Sequence, residues 1–254
     1  MTLEHQLRRQ AEKHQLIFWH HVRARRILDL IDPAQPATLA DIGSGAGSLG
    51  WILRSERPRV RYRFREPITS LAEALRREFG AENELRSFDE LASADVVTLL
   101  DVLEHVADPG ALLSDVVQAM QPGATLVVTV PAVHALWSEW DERLGHHRRY
   151  SKSELRESVT GLPLRVGEVS FLFPELVPAA VVRRFRSARG TDAEAAEFPT
   201  LPRMADRALR SIGLRTYAAR RFTPVGTSLL LVATRLGDRA VAPAVDPSAD
   251  GLQR

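Results

Sequence analysis

The chain has 254 residues, of which 44% are hydrophobic and 26% charged, and its formal net charge is +2. This is the composition of an ordinary globular protein that can bury one good core, and the absence of cysteine excludes disulfides, thiolate metal sites and cysteine nucleophiles. The charged N-terminus predicts no secretion signal, and no stretch approaches the roughly 20 apolar residues of a membrane span. We therefore expect a cytoplasmic protein.

Strands and helices alternate along most of the chain. A long or broken helix is predicted over residues 3–31, and the prolines that follow end it. Seven strands are predicted from apolar or alternating runs, at 38–42, 60–65, 85–88, 95–100, 125–130, 165–171 and 227–234. Because helical segments separate most of these strands, the sequence predicts an α/β layer fold with a mostly parallel sheet.

Two regions depart from this alternation. Residues 172–222, before the last strand, begin with an apolar stretch and continue as a basic, helical insertion. Residues 238–254 are rich in Ala, Pro and Asp, which predicts a disordered tail. We therefore divide the chain into an N-terminal helical element (1–36), a main domain (37–237) that carries the insertion, and the tail.

The most informative segment is residues 39–47, where a short apolar strand leads into Asp41 and then into glycines at alternate positions. These are Gly43, Gly45 and Gly47. Glycine adopts positive φ readily and lets a ligand lie against the backbone, so the segment predicts a site for a nucleotide-type cofactor. With Gly50, the loop also fits the dinucleotide fingerprint. Asp41, however, would repel a diphosphate and attract an ammonium group, which favours S-adenosylmethionine.

Four motifs in order carry a resemblance to a known family. They are the loop at 41–47, Glu66 at the end of the second strand, Asp101-Val-Leu-Glu104-His105 after the fourth, and Gln121-Pro122-Gly123 before the fifth. Over about residues 38–235 the chain resembles the class I S-adenosylmethionine-dependent methyltransferases. The segment 137–151 makes it most similar to small-molecule types that act on quinone precursors, sugars or natural products. The resemblance implies a Rossmann-like, doubly wound sheet of seven mostly parallel strands with the last strand antiparallel.

The resemblance also implies roles for individual residues. Asp41 and the glycine loop would hold the methionine portion of the cofactor, and Glu66 would accept hydrogen bonds from the ribose hydroxyls. Asp89 is a candidate partner of the adenine amino group. The implied cofactor-binding residues are Asp41, Gly43, Ser44, Gly45, Gly47, Glu66, Pro67, Asp89, Asp101, Val102, Leu103 and His105.

Candidate catalytic residues are histidines. Methyl transfer requires the acceptor atom to be held in line with the methyl carbon, and an oxygen or nitrogen acceptor also needs a base. The candidates are His105, His146 and His147, with Asp141 orienting one of the last two. Two other interpretations stay open: His105 packs over the cofactor, and the pair at 146–147 serves as a structural cap for the next helix.

The sequence predicts neither a metal nor a nucleic-acid partner. Asp41, Glu66 and Asp101 are widely separated, and no histidine pair has the spacing of a metalloprotease motif. Aromatic residues are not interleaved with basic ones in the manner of strand-binding proteins. The expected partner is a small-molecule acceptor, and both a homodimer and a peripheral membrane contact through residues 171–184 stay open.

The leading hypothesis is methyl transfer from S-adenosylmethionine to an oxygen of a small molecule, with nitrogen or carbon as less favoured acceptors. One alternative is a protein of the same fold that binds the cofactor without methylating. A further alternative, an NAD-dependent oxidoreductase, rests only on Gly45, Gly47 and Gly50.

Overall fold

A computed structural model describes residues 16–187 and 201–237, together with Glu4, Leu7 and Arg8. Its centre is a six-stranded sheet in the spatial order β2-β1-β3-β4-β6-β5. The strands are β1 (Ala37–Ile42), β2 (Val60–Arg65), β3 (Val96–Leu100), β4 (Thr125–Pro131), β5 (Leu164–Leu172) and β6 (Ser228–Arg235). The first four strands pair in parallel, and β6 runs antiparallel to β4 and β5. The predicted mostly parallel sheet with an antiparallel last strand is confirmed.

Helices cover both faces of the sheet. They are α1 (Phe18–Leu30), α2 (Ser48–Glu56), α3 (Thr69–Phe79), α4 (Pro109–Ala119), α5 (Glu139–Leu144), α6 (Lys152–Glu157), α7 (Val177–Ser187) and α8 (Arg203–Ala218). One apolar core lies beneath α1, α2, α3 and α8, and a second lies beneath α4 and α6. Because both faces are covered, β3 and β4 are apolar runs rather than alternating ones. None of the helices in the described part of the chain is long and apolar enough to cross a bilayer.

The prediction of a seventh strand at 85–88 was wrong. The chain makes only a single parallel bridge there, between Phe64 and Glu84, and then enters a short 3₁₀ helix at Phe88–Ser93. The Arg65 guanidinium bonds the carbonyls of residues 85 and 86, and the Glu90 carboxylate accepts the N–H groups of residues 86 and 87. Side chains therefore occupy the backbone groups that a strand ladder would need.

The predicted insertion contributes α7 and α8, and α8 packs against α1. The Asp206 carboxylate accepts the backbone N–H of Phe18 at 2.8 Å, and the Tyr217 hydroxyl donates to Asp29 at 2.8 Å. A Cβ at Gly213 would lie 2.7 Å from Val22, so only glycine permits this approach. The insertion thereby holds α1 in place over the sheet. The tail predicted at 238–254 lies outside the described residues.

Candidate active site

The carboxyl ends of β1, β2 and β3 bring three of the sequence motifs to one edge of the sheet, where ligands bind in folds of this kind. The backbone N–H of Gly45 donates to Glu66 Oε2 at 2.7 Å. On the other side, a Cβ at Gly43 would lie 2.6 Å from a methyl carbon of Val102. The structure therefore places the loop after β1 between Glu66 and the segment 101–105.

The glycine loop has the backbone that the sequence predicted. Gly43, Gly45 and Gly47 have φ values of 71°, 53° and 79°. Gly47 is the N-terminal cap of α2, and the Ser44 hydroxyl donates to the carbonyl of Asp41 at 2.7 Å. Side chains at these positions would be strained and would cover the backbone, so the loop offers a surface that a cofactor can approach closely.

Asp41 lies beneath the loop rather than on its surface. Its exposed fraction is 3%, and it accepts hydrogen bonds from the hydroxyls of Thr98 at 2.6 Å and Tyr62 at 2.9 Å. Burial raises the pKa of Asp41 to about 6. The sequence signals for these partners were a hydroxyl residue within a buried apolar strand and a tyrosine among alternating apolar positions. Direct contact between Asp41 and a cofactor ammonium stays a prediction.

We expect the buried carboxyl of Asp41 to make stability fall as pH rises. Its pKa is raised from 3.8 to about 6, so between these values the folded protein keeps a proton that the unfolded chain has lost. The free energy of unfolding then decreases with increasing pH, by about 3 kcal/mol over the whole range. The contribution of the Asp41 carboxyl to the free energy of unfolding is greatest below about pH 4 and is lost above about pH 6.

The comparison with Asp41→Asn isolates this contribution from other acids that titrate in the same range. Urea unfolding of the cofactor-free protein at pH 4, 5, 6 and 7 measures the free energy of unfolding of both proteins. The wild-type value minus the Asp41→Asn value should decrease as pH rises. A difference between the two proteins that is constant across this range would contradict the assignment.

Glu66 is half-buried and already holds the neighbouring backbone. Its Oε1 accepts the N–H of Ile68 at 2.9 Å, while Oε2 accepts that of Gly45. Burial raises the pKa of Glu66. Each carboxylate oxygen has a further lone pair, which leaves acceptor capacity for a pair of ribose hydroxyls. Asp89, by contrast, is exposed, and its described hydrogen bond is a local one from Ser87 at 3.3 Å.

Asp101 begins the loop after β3 in a conformation that is uncommon for a residue with a side chain. Its φ is 55°, and the Thr129 hydroxyl donates to its Oδ1 at 2.9 Å. Its other oxygen forms an ion pair with Arg23 of α1. Arg23 was not assigned to the site from sequence, where only its place in the first helix was apparent. The ion pair ties α1 to the ends of the sheet strands.

A compact cluster of one carboxyl and two imidazoles follows Asp101. Glu104 and His105 lie in a 3₁₀ turn, and His146 follows α5. The two imidazole centroids are 4.7 Å apart. Glu104 has no exposed surface, its two carboxyl oxygens have no hydrogen-bond partner among the described residues, and burial raises its pKa. Burial lowers the pKa of His105 to about 4, so this imidazole is neutral at neutral pH.

Asp141 and Arg149 support His146. The Nδ1 atom of His146 lies 2.9 Å from Asp141 Oδ1, and the Arg149 guanidinium contacts both oxygens of Asp141 at 2.9 Å. Burial acts to raise the pKa of Asp141, but the bonds from His146 and Arg149 outweigh it and the pKa is lowered. An ionised Asp141 can only accept, so Nδ1–H of His146 donates to it and Nε2 is the ring nitrogen outside this bond.

His147 does not join this cluster. Its side chain is exposed, and its backbone N–H donates to the carbonyl of Glu104 at 2.7 Å. The neighbouring Arg148 donates to the carbonyl of Ala107 at 2.9 Å. Residues 147 and 148 thus hold the segment after α5 against the 3₁₀ turn.

Comparison with known proteins identifies the family. A family model described as a methyltransferase domain matches residues 18–166, which span α1, the glycine loop, the Glu104–His105 turn and the start of β5. The chain belongs to this methyltransferase family. It is an S-adenosylmethionine-dependent methyltransferase, and the cofactor is S-adenosylmethionine rather than NAD. Among curated proteins, none matches the chain significantly.

Solved structures share the fold at low sequence identity. A chain of the complex between the Haloferax volcanii Trm112 methyltransferase activator and a methyltransferase superposes with a TM-score of 0.56 and 21% identity, covering 86% of this chain and 90% of that one. A sarcosine dimethylglycine methyltransferase from Galdieria sulphuraria gives 0.54 and 14%, covering 85% of each. The [4+2]-cyclase SpnF gives 0.51 and 14%, covering 84% and 82%. At these identities the likeness shows the fold alone.

Proposed function

We propose that this enzyme transfers the methyl group to an oxygen atom of a small organic acceptor. The observation that carries the proposal is the cluster of Glu104, His105 and His146 directly after the segment that packs on the glycine loop. A neutral amine attacks through its lone pair before it loses a proton, whereas a hydroxyl becomes a good nucleophile only when its proton is removed. A pair of imidazoles in one cluster therefore supports oxygen over nitrogen or carbon as the acceptor.

The residues at the strand ends fit the cofactor. The glycine loop has positive φ at Gly43, Gly45 and Gly47, Glu66 has free lone pairs for two hydroxyls, and Asp41 adds negative charge beneath the loop. S-adenosylmethionine supplies a methyl group on a sulfonium and leaves as the neutral thioether. We assign the remaining contacts to Ser44, Pro67, Asp101, Val102, Leu103 and His105, and the adenine contact to Asp89.

His146 is the residue we assign to the acceptor proton. Asp141 holds its Nδ1–H, so Nε2 is the nitrogen available to the acceptor hydroxyl. Nε2 would take the hydroxyl proton while S-adenosylmethionine supplied the methyl group to the acceptor oxygen. We assign His105 as a second, neutral imidazole beside it, and His147, whose side chain is exposed, to proton release to solvent.

We assign the choice of acceptor to the insertion. Its helix α7 meets α5, the helix that carries Asp141, through Arg183 stacked 4.6 Å from the ring centroid of Trp140. Replacing residues 171–222 with the segment of a relative should change the acceptor range and leave cofactor affinity unchanged. An unchanged acceptor range would contradict this role. A homodimer, and a membrane contact through residues 171–184, stay predictions.

A screen with a ¹³C-methyl-labelled donor tests the reaction. The purified full chain is incubated with paired acceptors that differ only in carrying a hydroxyl or an amino group at the same position. We expect the label in an O-methyl group, identified by its carbon chemical shift. Label found only on nitrogen or carbon would contradict the proposal. His134→Gln, a histidine variant outside the cluster, is assayed beside the wild type and should give the same product, because His134 is exposed and paired with Glu154.

A further inference from the structure

We propose that Glu104, His105 and His146 bind a divalent cation of the first transition row, such as Zn²⁺ or Mn²⁺. One ligand atom from each of these residues lies within 4.8 Å of the other two. The inference rests on the proposed function and deepens it, because the cation would hold the acceptor oxygen beside the methyl donor. The sequence did not predict this site, since His146 lies far along the chain from the other two residues.

The carboxyl of Glu104 is the first observation. It has no exposed surface, and its two oxygens lack a hydrogen-bond partner within the described residues. Buried polar groups in folded proteins are nearly always partnered, so two bare carboxyl oxygens in the interior require an explanation. The oxygens are near two imidazoles, and a cation shared with those rings supplies the missing partner.

The orientation of the imidazoles is the second, independent observation. His146 Nδ1 is 2.9 Å from Asp141, which two 2.9 Å bonds from Arg149 hold in place. The ring of His105 lies 4.7 Å from that of His146, centroid to centroid. Histidines that bind metals nearly always hold their second nitrogen on a carboxylate or a backbone carbonyl, as His146 does. The ring of His146 therefore has Nδ1 held and Nε2 left to bind a cation.

The donor set defines the kind of cation. Two imidazole nitrogens and one carboxylate oxygen match catalytic zinc sites and the facial sites of other transition metals, which keep a position open. Magnesium and calcium prefer oxygen ligands throughout. Bonds of roughly 2.0–2.2 Å at tetrahedral angles put ligand atoms about 3.4 Å apart. Binding would therefore bring atoms at the 4.8 Å limit of this cluster closer by about 1.4 Å.

The cluster lies next to the glycine loop, where we place the methyl donor. Val102, which directly precedes the 3₁₀ turn, packs on Gly43 of the glycine loop, so the cluster adjoins the cofactor. Glu104, His105 and His146 would hold the cation, and the cation would make a bound hydroxyl more acidic, so that its proton could leave to solvent. With the cation bound, His146 Nε2 would be a ligand, and the proton-accepting role proposed above for His146 would apply to the cation-free enzyme.

Calorimetric titration of the chelator-treated full chain with MnCl₂ and with ZnCl₂ tests the site. We expect one saturable site, with affinity at least tenfold weaker in Glu104→Gln and in His146→Gln. His147→Gln, the matched control, should bind within twofold of wild type because its side chain is outside the cluster. Electron paramagnetic resonance of bound Mn²⁺ should show nitrogen coupling that is reduced in His146→Gln. Circular dichroism verifies that each variant is folded.

No saturable binding to the wild type, or unchanged affinity in both cluster variants, would overturn the site. Methyl transfer to the hydroxyl acceptors separates the two proposals. Full activity of the chelator-treated enzyme refutes the role of the cation and leaves the proposed function standing. Tight cation binding without O-methylation of the hydroxyl acceptors, in either the treated or the reloaded enzyme, retains the site and refutes the proposed function.

Discussion

Replacing Arg149 with methionine should lower the free energy of unfolding by about 3–5 kcal/mol. The guanidinium makes two 2.9 Å bonds to Asp141, whose side chain has no exposed surface. Without Arg149, the described partners that the buried carboxylate keeps are His146 and the backbone N–H of Ser138. Urea unfolding at pH 7 measures the loss, and removing one member of a buried pair is among the most destabilising single changes.

Arg148→Met is the matched control, since Arg148 is partly exposed and contacts only a backbone carbonyl among its described partners. We expect it to change stability by less than about 1 kcal/mol. The double variant Asp141→Asn/Arg149→Met should recover part of the loss, because the uncompensated charge is removed. A decrease below about 1 kcal/mol in Arg149→Met would show that the pair does not stabilise the segment.

Replacing His146 with glutamine should lower kcat for methyl transfer by about 10²–10⁴-fold and leave the Kd for S-adenosylmethionine within twofold of wild type. Glutamine cannot take up a proton at this position, and the ring nitrogen that Asp141 orients is removed. The glycine loop and Glu66, to which we assign the cofactor contacts, are untouched. Steady-state kinetics with an acceptor from the screen, paired with calorimetry of the cofactor, measure both quantities.

His134→Gln provides the comparison for this variant, because its imidazole is exposed and lies against Glu154 at 3.1 Å. We expect wild-type kcat for it. If His146→Gln also retained wild-type kcat, the imidazole cluster would have no part in the reaction. If instead cofactor binding were lost with kcat, His146 would act through the cofactor site.

The conformation of the glycine loop and its place beside Glu66 were predictable from sequence because their signals are local. A strand that ends in an acid and alternating glycines defines the loop by itself, since positive φ at Gly43, Gly45 and Gly47 is a property of that segment. The place of Glu66 follows from a simple rule, that parallel strands bring their carboxyl ends to the same edge. Each inference needed only the order of elements.

The remaining features depend on contacts between distant parts of the chain. Arg23 meets Asp101 across 78 residues, and His146 reaches Glu104 only because α5 and the segment after it fold back onto the 3₁₀ turn. Neither the spacing of motifs nor hydrophobic periodicity predicts such contacts between residues that are distant in sequence. The wrong prediction of a strand at 85–88 has a similar origin, since the side chain of Arg65 bonds the carbonyls that a strand ladder would use.

Burial bears on how Asp41 is interpreted. Asp41 was predicted from its position before the loop, but the sequence could not show that Tyr62 and Thr98 would take up its oxygens. The surroundings of a carboxyl, rather than its place in a motif, decide whether it faces a ligand or supports the backbone beneath it.

Calorimetric titration of S-adenosylmethionine into the wild type and Glu66→Ala tests most directly whether the strand ends form the cofactor site. We predict saturable binding to the wild type and an affinity about 10- to 150-fold weaker in Glu66→Ala, the equivalent of the 1.5–3 kcal/mol of a hydrogen bond to a charged group. Glu157→Ala, an exposed glutamate on α6, should bind as the wild type does. Equal affinity of the wild type and Glu66→Ala would contradict the account.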